Sequence, residues 1–388
     1  MKILIFNTLY APIKIGGAEL SVQSLAEGFV KRGYEVGVVT LGLEYDIDEL
    51  NGVKIWRLKL QNYFWPFHKV KRNGLEKLKW HVRDINNLSY TNDVNEIIRQ
   101  FSPDIVYTNN LAGFSVAIWN IAKSLNIKVV HTLRDYYLQC PKTTKFKNNK
   151  SCARNCIDCT VFSMKKKLIS KNVDVVVGLT KHILNDHINK GYFSNAKKMV
   201  IYNGFLLSSI NKSQPDFCSE HYLRLGFIGQ INIAKGIDVL VKSLEKLDSF
   251  KNWELFIAGS VSSDKVTELK SKLGERVQFL GYITPKDFFQ NIDILVVPSI
   301  WEEPFGRVVI EGLMNKKIVL GSDIGGIPEL LTLNKKYLFK PTVDSLVHLL
   351  RVIFQNPKYL NDFKFDDKHM SQFALDNIID EYIDAFSK

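Results

Sequence analysis

Short, almost wholly apolar runs alternate with longer segments of helical periodicity from one end of this chain to the other, and few folds admit that order. In the first half such runs occupy residues 2–6, 35–41, 105–108, 128–132 and 173–177. Their near-continuous apolar character predicts strands of parallel sheets covered on both faces. Between the first two, Val22, Leu25, Ala26, Phe29 and Val30 recur at helical spacing, and Gly33 ends the helix. The second half restarts the pattern, with a strand at 223–228, a loop at 229–235 and a helix at 236–247. Further strands are predicted near 254–258, 277–280, 294–297 and 318–320. At 388 residues the chain exceeds what one hydrophobic core organises. The reading is therefore α/β, with two doubly wound, Rossmann-like domains, 1–205 and 206–371, joined through the polar stretch 205–217. Facing sheets of this kind leave a central cleft at the carboxyl ends of their strands, where ligands bind.

Apolar residues make up 46% of the chain, so a soluble globular class is expected. The apolar stretch after Lys2 is broken at Asn7, too early for a secretory signal, and no window reaches the length of a membrane span. A cytoplasmic protein is the expectation. The 52 Lys and Arg exceed the 40 Asp and Glu, giving a formal charge of +12 that favours anionic partners such as nucleotide diphosphates or lipid headgroups. Nucleic acid fits least, because neither a recognised motif nor a long Arg-rich tract is present. Residues 63–83 interleave Tyr63, Phe64, Trp65, Phe67 and Trp80 with Lys69, Lys71, Arg72, Lys77, Lys79 and Arg83. That pattern suits peripheral contact with an anionic membrane, and equally a surface helix pair packing its aromatics inward.

The run EEPFGRVVIE, residues 302–311, carries the most chemistry. Glu303 should sit in the loop after a buried strand, Pro304, Phe305 and Gly306 should form the turn, and Glu311 should lie inside the helix. Eight positions separate the carboxylates by up to roughly 12 Å, about the reach of a nucleotide-sugar from hexose to ribose. A helix beginning near Pro304 would aim its unpaired N–H groups and positive dipole end at a diphosphate between them. An ordinary solvated helix start has the same local look. The run resembles the Glu-x7-Glu signature of retaining GT-B glycosyltransferases of family four, and the similarity extends along nearly the whole chain. The resemblance implies that Glu303 binds the donor sugar's hydroxyls and Glu311 the ribose, the spacing selecting Glu303 over Glu302. It also implies that the last helix, within 372–388, packs back on the first domain.

Other motifs follow from the same resemblance. Gly16 and Gly17, directly before the first helix, match a Gly-Gly loop that closes over the donor phosphate and faces the acceptor. No Gly-x-Gly-x-x-Gly fingerprint stands there, which argues against a dinucleotide oxidoreductase. In GQINIAKG, 229–236, Lys235 matches the family's phosphate-binding lysine, whereas Gln230 stands where arginine is usual and offers only neutral hydrogen bonds. In VVHTLRDYYLQCP, 129–141, Arg134 occupies the position of a family histidine near the reacting carbon, and His131 lies three residues earlier. Arg134 would stabilise leaving-group charge, or form a structural salt bridge with a neighbour such as Asp135; His131 reads as a packed residue. Tyr282, after Gly281, is a neighbour for the nucleotide base, and Gly325 and Gly326 serve a turn. Cys140, Cys152, Cys156 and Cys159 fall within twenty positions, as a structural zinc site or as reduced buried thiols; Cys218 has no evident role. No Asp-x-Asp metal site is evident, so no catalytic metal and no cofactor are expected.

The implied activity is transfer of a sugar from a nucleotide-diphosphate donor with retention at the anomeric carbon, the leaving phosphate helping to deprotonate the acceptor hydroxyl. Charge stabilisation and positioning would carry the catalysis. A glycan or lipid-linked glycan acceptor at the inner membrane face, as in surface polysaccharide or lipopolysaccharide assembly, fits the charge and the aromatic segment. Two alternatives stay open: another GT-B sugar enzyme such as a phosphorylase or epimerase, and a non-catalytic GT-B subunit binding glycan or a partner.

Overall fold

A computed structural model describes residues 1–13, 16–68, 70–207, 216–218, 222–260 and 263–387. Ile15, Lys69 and most of the polar linker, 208–215, lie outside the described residues. The chain divides into two compact units. One comprises Met1–Lys145, Ala153–Leu206 and Ser371–Lys388, and the other comprises Phe146–Cys152 and Leu207–Met370.

Among the described residues the first unit carries an eight-stranded sheet. Its strands are β1 (Lys2–Phe6), β2 (Glu35–Gly42), β3 (Asp46–Leu50), β4 (Val53–Lys59), β5 (Ile105–Thr108) and β6 (Lys128–Leu133). A short hairpin of β7 (Phe146–Lys147) and β8 (Lys150–Ser151) follows and groups with the second unit, after which β9 (Val175–Gly178) and β10 (Lys197–Val200) complete the sheet. The order is β10-β9-β6-β5-β1-β2-β4-β3, parallel except for β3 against β4. In β1 every residue from Ile3 to Phe6 is fully buried, because helices cover both faces. Edge strand β3 is acidic and mostly exposed, a composition that discourages pairing with another sheet.

The helix Gly17–Lys31 buries Val22, Leu25, Ala26 and Phe29. At Gly28 a Cβ would come within 2.3 Å of Ile379, so glycine there permits close approach of the C-terminal helix Leu375–Ser387. Tyr382 and Phe386 of that helix pack on Phe29 and Tyr107 with ring centroids 5.3–6.5 Å apart. Arg32 pairs with Asp380 at 2.7 Å. The final helix is thus built into the core of the first unit.

The second unit has β11 (Leu223–Ile228), β12 (Trp253–Ala258), β13 (Val277–Gly281), β14 (Ile294–Val297), β15 (Ile318–Ser322) and β16 (Leu338–Phe339), in the order β13-β12-β11-β14-β15-β16 and all parallel. From β11 the chain runs outward through β12 and β13, then returns to β14 on the other side. The switch point therefore lies between β11 and β14, and the loops leaving their carboxyl ends are the ones a doubly wound sheet offers to a ligand. No helix among the described residues is long and apolar enough to cross a membrane.

Candidate active site

The two loops at the switch point of the second unit converge on one ion pair. After β11, Gly229 (φ 141°) turns the chain into the 3-10 turn Ile233–Lys235, where the Asn232 side chain accepts from the Lys235 N–H at 3.0 Å. Gly236 then takes φ 76°, and a Cβ there would lie 1.7 Å from the Pro298 carbonyl oxygen. Only glycine lets this loop lie against the one after β14. A backbone bond from Ile300 N–H to the Ala234 carbonyl, 2.9 Å, closes the contact. Lys235 Nζ reaches Glu303 Oε1 at 3.0 Å and lies 5.5 Å from the Trp301 ring centroid. The Ser299 hydroxyl donates to the same carboxylate oxygen. Glu303 is only 6% exposed, so its carboxylate is a buried charge held by one cation and one hydroxyl.

The backbone around Glu303 is also held. Gly325, at φ 63°, passes so close that a Cβ would stand 2.5 Å from the Glu303 nitrogen, and the Gly326 N–H donates to the Glu303 carbonyl at 2.7 Å. The turn expected at 325–326 therefore serves to seat Glu303. Lys235, which the motif assigns to the donor phosphate, is paired with Glu303 in this structure. One sequence expectation changes here. The helix does not begin near Pro304: it spans Arg307–Met314, preceded by Gly306 at φ 94°. Pro304 and the 3%-exposed Phe305 stay in the loop, because burying the Phe305 ring needs a turn that Gly306 then closes in the left-handed region. Glu311 lies within this helix, its carboxylate 3.3 Å from Arg307 Nη2. Gln230 is exposed in the loop after β11, where its side chain accepts from Asn232 Nδ2 at 3.3 Å. Tyr282 is 91% exposed beyond the end of β13. Beside the Lys235 turn, a cavity of about 470 Å³ is lined by Phe146, Asn232, Ile233, Ile237, Asp238 and Lys265.

Arg134, Gly16 and Gly17 belong to the first unit, at the carboxyl ends of β6 and β1. Arg134 is buried; its Nε donates to Asn109 Oδ1 at 2.7 Å and its Nη1 to Asn203 Oδ1 at 2.8 Å, while Nη2 has no protein partner. It forms no salt bridge with Asp135, which accepts instead from the Tyr137 N–H at 2.8 Å. Two neutral amides steer the fork, and the terminal Nη2 amino group is left without a partner. Burial pushes the Asp135 carboxyl up to about 6, against the Tyr137 hydrogen bond. Gly16 precedes the helix Gly17–Lys31, but its N–H donates to Glu19 Oε2 at 2.9 Å, so this amide already holds an anion. His131 packs against Trp119 and Phe193 and hydrogen-bonds Thr108 Oγ1 at 2.9 Å through Nδ1. Burial first, and His187 second, lower its pKa to about 3, so it is a neutral core imidazole.

None of the five cysteines is in a disulfide, and of them Cys140 is buried. Cys159 lies within hydrogen-bonding reach of Cys140 and Cys156, and burial with these neighbours drives its thiol well above the usual range. Among the described residues no group of three His, Cys, Asp or Glu side chains takes up metal-holding geometry. Sequence reasoning missed Ser299, Asn109 and Asn203, the side chains that hold Glu303 and Arg134. Each follows a strand directly or closely, and that is the only signal any of them gives.

Residues 15–208 match glycosyltransferase family 4, and residues 212–369 match glycosyl transferases group 1. An uncharacterized 42.6 kDa protein in the cps region of Klebsiella pneumoniae is 36% identical over 388 residues, covering all of both chains. The lipopolysaccharide 1,2-N-acetylglucosaminetransferase of Salmonella typhimurium is 23% identical over 207 residues, 47% of this chain and 54% of that one. The crystal structure of Anabaena HepE in complex with UDP and glucose superposes with a TM-score of 0.70 at 18% identity, covering 100% of this chain and 99% of that one. With matches spanning both Rossmann-like units and a full-length relative above one-third identity, the chain belongs to glycosyltransferase family 4, with the GT-B fold, and is a nucleotide-sugar-dependent transferase.

Proposed function

We propose that this enzyme moves a sugar from a nucleotide-diphosphate donor to a glycan or lipid-linked glycan acceptor with retention at the anomeric carbon, in the assembly of a surface polysaccharide. The observation that carries the reading is the buried Glu303 carboxylate, held by Lys235 and Ser299 at the β11/β14 switch point beside the start of the helix Arg307–Met314. Two charges with few other partners are poised to exchange. A donor diphosphate attracts the Lys235 ammonium and the first-turn amides of that helix, and a sugar hydroxyl donates to the freed Glu303 carboxylate. Glu311, in the same helix, takes the ribose hydroxyls. Gln230 supplies neutral hydrogen bonds to the phosphates, Tyr282 a face for the base, and the backbone at Gly16 and Gly17 a cover for the donor once Glu19 releases its amide.

Arg134, with its Nη2 amino group unused, stabilises charge on the leaving phosphate. The bond from the anomeric carbon to the diphosphate oxygen breaks, the acceptor oxygen bonds that carbon on the same face, and the acceptor's proton passes to the leaving phosphate. Catalysis on this reading is positioning and electrostatics, and no resident cofactor takes part. The relatives support the pathway: one is named for a cps region, another for lipopolysaccharide.

The test is a panel of nucleotide-sugars screened by thermal shift, since a ligand that binds only the folded state raises its melting temperature. Turnover then follows with the donor that binds, and NMR reads the anomeric configuration of the product. Retained configuration, and loss of turnover in Glu303→Gln without loss of fold, support the proposal. An inverted product, or full activity in that variant, rejects it.

A further inference from the structure

The helix Ile157–Ile169 of the first unit is amphipathic in the wrong sense for a soluble protein. The side chains it buries include Ser163 and Lys166, whose amine lies 3.9 Å from the buried Asp84 carboxylate and 3.3 Å from the centroid of the Tyr137 ring. Ile157, Val161, Met164 and Leu168, spaced four, three and four residues apart and so on one helical face, are 84%, 59%, 63% and 63% exposed. A second helix, Gly74–Arg83, does the same. It buries Trp80 and turns Leu75, Leu78 and Val82 outward at 61%, 48% and 55% exposure. The two helices adjoin, with the His81 and Phe162 rings 5.9 Å apart at centroid, so the stripes belong to one region of one unit.

Charge surrounds these stripes. Lys71, Lys77, Lys79 and Arg83 are exposed on and just before the shorter helix, and Arg154, Lys165 and Lys167 on and just before the longer one. The acids of these segments are fewer. Glu76 is tied to Arg72 at 3.7 Å and to the Asn73 N–H, and Asp158 stands in the first turn of its helix. In the segment 63–83 Trp80 packs inward, as the reading of inward-packed aromatics expects of it, while Tyr63 and Phe67 stay exposed.

We propose that these two helices form a docking face for an anionic lipid bilayer, with the seven aliphatic and Met side chains entering the headgroup boundary and the Lys and Arg side chains meeting lipid phosphates. Thirteen residues span about 20 Å at the α-helical rise, too short and too charged to cross a bilayer but suited to lying in its surface. The excess of base over acid selects an anionic bilayer over a protein groove of neutral character. The inference does not depend on the donor chemistry proposed above, because its readout is partition rather than transfer.

Full-length protein is sedimented with phosphatidylcholine vesicles, with and without phosphatidylglycerol. Binding is expected to require the anionic lipid and to fall with salt. Lys165→Gln with Lys167→Gln should weaken it roughly 25-fold, about fivefold per cation. Met164→Asp with Leu168→Asp should abolish it, while the melting temperature and the shift produced by nucleotide-sugar stay as in the parent. The parent's failure to bind anionic vesicles overturns the proposal, as does equal binding by the double Asp variant. So does a parent that elutes as a dimer which the Asp variant converts to monomer, since a second copy would then cover the face.

Discussion

Removing one member of the Lys235–Glu303 pair should not be equivalent to removing the other. The Lys235 side chain is 31% exposed and that of Glu303 only 7%. In Lys235→Met the Glu303 carboxylate keeps the Ser299 hydroxyl but loses its cation in a site water hardly reaches. Breaking a buried pair costs about 3–5 kcal/mol; with a third of the lysine exposed, screening reduces this to about 1–3 kcal/mol. In Glu303→Gln the ammonium returns to water and the amide still accepts from Ser299, so the loss should be about 0–1 kcal/mol. The double variant should recover part of the Lys235→Met loss, giving a coupling of about 1–2 kcal/mol. Native-state hydrogen exchange at the amides of β11 and β14 measures this locally, separately from the first unit. Kinetics should rank the variants oppositely: Glu303→Gln lowers kcat by about 10²–10⁴, as loss of a group acting on the reacting sugar would, whereas Lys235→Met chiefly raises the donor KM. Equal, additive destabilisation by the two single variants would refute the argument.

Other expectations are narrower. Gly325→Ala puts a Cβ 2.5 Å from the Glu303 nitrogen at φ 63°, costing about 1–2 kcal/mol for the left-handed conformation and about 1–3 kcal/mol for overpacking; the melting temperature and kcat should fall together. Arg134→Lys keeps the charge but cannot span Asn109 and Asn203, so about 1–3 kcal/mol of stability should be lost, with kcat, in a combined melting and turnover assay. His187, buried and stacked on Tyr136, has its pKa lowered to about 4, first by burial. The unfolded chain takes up this proton below about pH 6.5 and the folded chain does not, so stability drains away as pH falls from about 6.5 to about 4. His187→Phe removes that term, and its stability relative to the parent should rise by up to about 1.4 kcal/mol per pH unit across this window in urea titrations.

The strands that the sequence announces are those covered on both faces, because burial on two sides forces an unbroken apolar run. β1, β5, β11 and β14 fall where that rule puts them. β4 escapes it. Lys54, Arg57 and Lys59 interrupt Val53, Ile55, Trp56 and Leu58, and Arg57 tolerates near-burial only because it donates to the Ala11 carbonyl at 2.6 Å and has Asp46 and Asp48 of β3 within 3.9 Å. Those partners are distant or unordered until the sheet exists, so no local pattern reveals them.

The site divides in the same way. Spacing and motif single out Glu303, Lys235 and Glu311 as candidates, and the structure joins the first to the second, whereas Ser299, Asn109 and Asn203 are single polar residues after strands, and only the sheet order says which strand ends matter. The start of the helix at Arg307 was decided by a conflict between two local rules. Proline favours the first helical turn, but Phe305 must be buried, and the left-handed Gly306 settles the matter by delaying the helix. Periodicity has a related blindness: it identifies an apolar stripe without saying which way the stripe points. In the helix Ile157–Ile169 the stripe points outward because Lys166 is drawn inward by Asp84 and the Tyr137 ring. A buried ion pair in one unit thereby sets the orientation of its surface helix, and replacing Lys166 should loosen that orientation before it affects the chemistry at Glu303.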